Sequence, residues 1–102
     1  MKMMTKEIID KLPALYSNEN IKPEDVDVIV KFFCPWNGWT WYVTEGEQDK
    51  SEDDWLFFGM VHGLENELGY FRLSELEEVR GPGGLKIERD MYYSGNKLSE
   101  VM

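Results

Sequence analysis

The densest set of reactive side chains lies between Glu45 and Asp54, where Glu45, Glu47, Asp49, Glu52, Asp53 and Asp54 face a single lysine, Lys50. Carboxylates at this density could hold a hard cation, serve a small metal-dependent enzyme, or imitate phosphates to a basic, nucleic-acid-binding protein. For the cation, Asp49, Glu52, Asp53 and Asp54 offer oxygen ligands, but the D-x-[DN]-x-[DN]-G pattern of a calcium loop is absent. No metal and no cofactor is expected. The plainest reading is a solvated hairpin loop whose charge keeps a sheet edge soluble. Against it stands the charge of the whole chain, net −9 from 20 acidic and 11 basic residues. That balance favours attraction to basic surfaces and disfavours unaided binding to DNA or RNA phosphates.

The remaining chemistry-bearing residues are few. There is one cysteine, Cys34, and one histidine, His62, so neither a disulfide framework nor the usual His/Cys zinc sets can be assembled. No motif around either residue supports a nucleophile or base. The segment Gly81–Gly84 lacks the spacing of a phosphate-binding loop. No catalytic residue is assigned, and an enzyme is not expected. A cluster of rings, Trp36, Trp39, Trp41, Tyr42, Trp55, Phe57 and Phe58, surrounds the acidic run. About half of them are expected in the core. Trp36 and Trp39, beside a turn, are the candidates for exposed rings at an interface.

These groups must be positioned by short elements. Thr5 caps a brief helix through Ile8, Ile9 and Leu12, which Pro13 ends. Ala14–Tyr16 is an apolar anchor, and Ser17–Asp25 is a polar surface loop. Val26 to Cys34 alternates with period two and reads as the first strand. Asn37-Gly38 favours a tight hairpin, with Trp39 to Thr44 returning as the second strand. Trp55 to Val61 and Glu67 to Arg72 follow as the third and fourth strands, joined by a turn over Gly63–Asn66. Ser74 with Glu77 reads as a capping box for a one- or two-turn helix closed by Gly81. Leu85 to Tyr93 is an edge strand or extended arm, and Leu98 and Val101 are candidate anchors in a polar tail. The fold class expected is α+β: an antiparallel sheet of four to five strands, a short N-terminal helix and a short capped helix after the fourth strand.

The chain of 102 residues is long enough for one domain with a modest core. No run approaches the roughly 18 apolar residues a membrane helix needs, and Met1 to Glu7 is too charged for a signal peptide. A cytosolic protein without membrane contact is expected, and like-charge repulsion favours a monomer.

Taken together, Phe32–Trp36, Trp39–Val43, Asp54–Gly59, Glu67–Phe71, Leu73–Leu76 and Ile87–Asp90 resemble the successive blocks of a family of small proteins of unassigned function, carried by bacterial phages, plasmids and other mobile elements. The resemblance covers Thr5 to about Tyr93. It implies that at least one relative acts as an anti-CRISPR protein inhibiting the type II, single-protein effector nuclease, and it supplies no catalytic residues. The expected function is therefore stoichiometric inhibition of such an effector. The acidic run would compete with DNA or guide-RNA contacts on the nuclease or its guide-RNA complex. The alternative is a different mobile-element accessory protein, an anti-restriction factor or a regulator binding a host protein.

Overall fold

The computed structural model describes residues 1–102. Five strands, β1 (Val30–Phe33), β2 (Thr40–Asp49), β3 (Asp54–His62), β4 (Asn66–Arg72) and β5 (Glu88–Arg89), form one antiparallel sheet in the order β4-β3-β2-β1-β5. Helix α1 (Lys6–Lys11) precedes the sheet and α2 (Leu73–Glu78) follows β4. This is the expected α+β class, with β5 as a two-residue edge.

Long pairing of β2 with β3 is the spine. It runs from Thr40 opposite His62 to Asp49 opposite Asp54, with one irregularity between Val43 and Glu45. There Thr44 is an extra residue, a β-bulge that reverses which face the following side chains take. The run Glu45–Asp54, expected as a loop, is instead mostly hairpin: only Lys50 to Asp53 turn, with Asp53 at φ 50°. Its polar composition hid the pairing, because these strand residues bury little apolar surface of their own.

Each face of the sheet carries a core. One face carries Val30, Phe32, Val43, Phe57 and Phe71, packed against Met4, Leu73, Leu76 and Ile87 and flanked by Ile8 and Leu12 of the α1 segment. The Thr5 hydroxyl accepts from the Ile8 amide at 3.3 Å, and the helix stops before Pro13, where Leu12 is extended. Ile9 departs from the expected inward face and is exposed, since six residues are too few to bury every apolar position.

The other face carries a smaller core of Val26, Val28, Met60, Leu98 and Val101. The alternation from Val26 to Cys34 is therefore buried throughout, yet it does not form one strand. Val26 and Val28 leave the sheet edge and pair with the tail instead: Leu98 donates to the Val26 carbonyl at 2.8 Å and Val28 to that of Asn96 at 2.9 Å. His62 reaches the Val101 carbonyl with Nε2 and fixes the chain's end on this face. Its ring also packs edge-on against Tyr42, and Cys34 lies in the larger core.

Two further local expectations change. Helix α2 begins after Arg72, with Glu75 accepting from the Arg72 amide, and not at Ser74. Gly81 does not close it, since the last helical residue is Glu78 and Gly81 has φ −107°. Gly81 lies instead under the Trp36 ring, where a Cβ would come within 2.4 Å of ring carbons. Gly63 meets Trp39 in the same way. Trp36 and Trp39 are accordingly half-buried and packed on the larger core, not displayed at the surface as expected.

Truncating Leu98 to alanine is expected to cost roughly 2 kcal/mol or more, because this side chain closes the smaller core. Urea denaturation followed by tryptophan fluorescence measures it; a midpoint unchanged from the parent would mean that the tail does not seal this face.

Candidate functional site

The six carboxylates of the hairpin divide by position. Glu47, Glu52 and Asp53 are exposed and Asp49 is partly so. Glu45 and Asp54 are buried, at 4% and 7% exposure, and so are removed from the acidic surface expected of them.

Glu45 owes its position to the bulge. Without Thr44 as an extra residue it would point into the face holding Val43 and Phe57. With it, Glu45 stands on the opposite face beside Phe58. There it accepts from the Tyr16 amide at 2.9 Å and the Asn18 amide at 2.8 Å. Gly46 donates to the Pro13 carbonyl at 2.9 Å, so the segment after α1 is clipped along the part of β2 that β1 is too short to cover. The chain thereby crosses from one face to the other and lays Tyr16 on the second. Tyr16 is held at φ 71°, a left-handed conformation that a bulky residue avoids and that costs on the order of 1–3 kcal/mol. A buried carboxylate and two amides keep it there.

Asp54 does comparable work beside the hairpin turn, opposite Asp49. It accepts from the Ser74 hydroxyl at 2.6 Å, the Ser74 amide at 3.0 Å and the Trp55 amide at 2.8 Å. It thus caps α2 from a distant strand, taking the part that Ser74 was expected to play. Arg72 lies 3.7 Å from Asp54 and 3.4 Å from Asp49. Burial pushes the Asp54 carboxyl upward, but the hydrogen bonds from Ser74 and Trp55, with Arg72 beside it, outweigh that and hold its pKa below the usual value. Asp49 is lowered chiefly by the Ser51 hydroxyl, against some desolvation, with help from the backbone of the turn and Arg72.

What remains for an outside partner is Glu47, Asp49, Glu52 and Asp53, with Lys50 and Arg72 among them. The α2 carboxylates Glu75, Glu77 and Glu78, all exposed, continue the acidic surface from the same end of the sheet. No three His, Cys, Asp or Glu side chains converge as a set that could hold a metal ion. The arrangement suits charge recognition.

A second feature escaped the sequence reading. Tyr16, Leu68 and Tyr70 are exposed on the second face beside Phe58, whose ring lies 4.9 Å from that of Tyr70. The period-two spacing of Leu68 and Tyr70, opposite in phase to buried Phe71, was the available signal. No helix is long and apolar enough to cross a membrane.

The sequence pattern of a family described as "Protein of unknown function (DUF2958)" matches residues 3–101, and the chain belongs to that family. Comparison with curated proteins and with solved structures gave no match.

Exchanging Glu45 for glutamine should lower stability by about 1–3 kcal/mol, since an amide NH2 then confronts a backbone donor. Chemical denaturation checks this, and an unchanged midpoint would show that the Tyr16–Asn18 turn stands without the carboxylate. For Asp54 the folded pKa lies below the unfolded one, so its stabilisation is complete above about pH 4 and is lost as pH falls through the folded value. Asp54→Asn is expected to be less stable at pH 7 and to lose less stability than the parent as the pH falls below about 4. Parallel acid-unfolding curves would refute that role.

Proposed function

We propose that the protein is a stoichiometric inhibitor of a type II, single-protein CRISPR effector nuclease, and that its exposed carboxylates occupy a basic surface the effector uses for DNA or guide RNA. The observation that carries this reading is the hairpin end, where Glu47, Asp49, Glu52 and Asp53 project from a paired ribbon held beside its turn by Asp54 and Arg72. Negative charge on a rigid support needs little ordering on binding, so more of the Coulomb attraction appears as affinity and association rate. The net charge of −9 adds long-range steering toward a basic partner. The choice of effector rests on the resemblance of the sequence blocks to a family with an anti-CRISPR member. Binding through this surface would be reversible, sensitive to salt and independent of turnover.

Three lysines in place of Glu47, Glu52 and Asp53 test the reading without touching the buried pair. In a cleavage assay with guide-loaded effector, the parent protein added before target DNA should block cleavage near equimolar ratio. The E47K/E52K/D53K variant should require at least about tenfold more protein while keeping the parent's unfolding midpoint. Absence of inhibition by a folded parent at large excess would point to another mobile-element accessory role, such as an anti-restriction factor or a host-protein-binding regulator.

A further inference from the structure

On the second face of the sheet, away from the hairpin tip, a cleft of about 370 Å³ opens between the clipped segment and β4. Its apolar walls are uncovered: Tyr16 is 64% exposed, Tyr70 52%, Ile21 45% and Leu68 42%. Charged residues in its lining are Glu19 and Glu45, both acidic, with no lysine or arginine among them. The rings of Tyr16 and Tyr70 stand 6.4 Å apart and are tilted by 56°. At that spacing the two rings pack on each other, and a cation reaches them at their exposed surfaces, within the ~6 Å of a ring centroid over which cation–π attraction acts. Hydrogen bonding with Tyr16 and some desolvation raise the Tyr70 phenol above its usual pKa, with smaller contributions from the Tyr16, Glu45 and Glu19 charges.

Tyr16 is placed here at a cost. A strained left-handed tyrosine, fixed by a carboxylate that a β-bulge redirects, holds an aromatic ring at the surface where folding gains little from it. Strain retained around an exposed ring is accounted for when the ring has something to bind.

We infer that this cleft docks a basic segment of a partner protein, with an arginine or lysine head group against the exposed rings of Tyr16 and Tyr70 and an adjacent aliphatic side chain against Leu68 and Ile21. The inference rests on the proposed reading of this chain as a binder of basic surfaces and adds an aromatic, less salt-sensitive contact to the hairpin's exposed charge. Charge complementarity selects the occupant. A second copy of this chain would set Glu19 and Glu45 against another body of net charge −9.

The test uses 15N-labelled protein titrated with the peptide acetyl-Arg-Leu-Arg-Leu-amide and, separately, with its Arg→Glu counterpart. The arginine peptide is expected to give saturable amide shifts at Tyr16, Asn18, Leu68 and Tyr70, and the glutamate peptide none. Tyr70→Leu, which keeps an apolar surface residue and removes the π face, should weaken binding at least about threefold. Tyr16→Gly, which relieves the positive φ as it removes the ring, should do the same with a well-dispersed spectrum. Shifts confined to Glu47–Asp53, equal response to the glutamate peptide, no shifts at all, or a doubling of mass without peptide would each overturn the inference. The E47K/E52K/D53K variant separates the two readings, because it should still bind the arginine peptide at the cleft. Peptide binding without nuclease inhibition sinks only the proposed effector; inhibition without peptide binding sinks only the cleft.

Discussion

A single extra residue in β2 determines where the rest of the chain can go. Thr44 shifts the register between Val43 and Glu45, and from that point inward and outward positions exchange faces. Gly46 then lies against Leu12 and Phe57, where a Cβ would come within 2.8 Å of both side chains, so the α1 segment can close over the larger core. Glu45 emerges on the opposite face and draws the Tyr16–Asn18 backbone onto it. The bulge thus links the packing of the N-terminal segment to the shape of the second face.

The acids of the hairpin consequently serve two ends. Glu45 and Asp54 are interior acceptors that bind backbone amides from other elements, so each joins parts of the chain far apart in sequence. Burial of such a group is tolerable because its oxygens are met by donors; one left unmatched would cost more than the hydrogen bonds return. Glu47, Glu52 and Asp53 have no such duty and stay in water. The same residue type, in one ten-residue run, both builds the ribbon and charges its tip.

Much of this architecture was legible from residue patterns. Strands rich in β-branched and aromatic residues, the Asn37-Gly38 turn with Gly38 at φ 79°, and the Thr5 cap all appear where local physics puts them. Alternation also identified Val26, Val28, Val30, Phe32 and Cys34 as one buried set. Periodicity could not tell that Val26 and Val28 face a different core from Val30, since that depends on the tail pairing through Asn96 and Leu98. The burial of Trp36 and Trp39 depends on Gly81 and Gly63, the first of them far along the chain, and the fate of Glu45 on a bulge with no sequence signature. What stayed hidden was set by long-range contacts.

The central claim is that exposed carboxylates on a pre-ordered ribbon drive association with a basic partner. Its most direct test is the affinity of the intact protein for guide-loaded type II effector, measured by calorimetry or surface capture across a series of salt concentrations. The account predicts binding that weakens by on the order of tenfold from about 0.1 M to about 0.5 M salt. An affinity that does not change with salt, or no binding at the lowest salt, would contradict it.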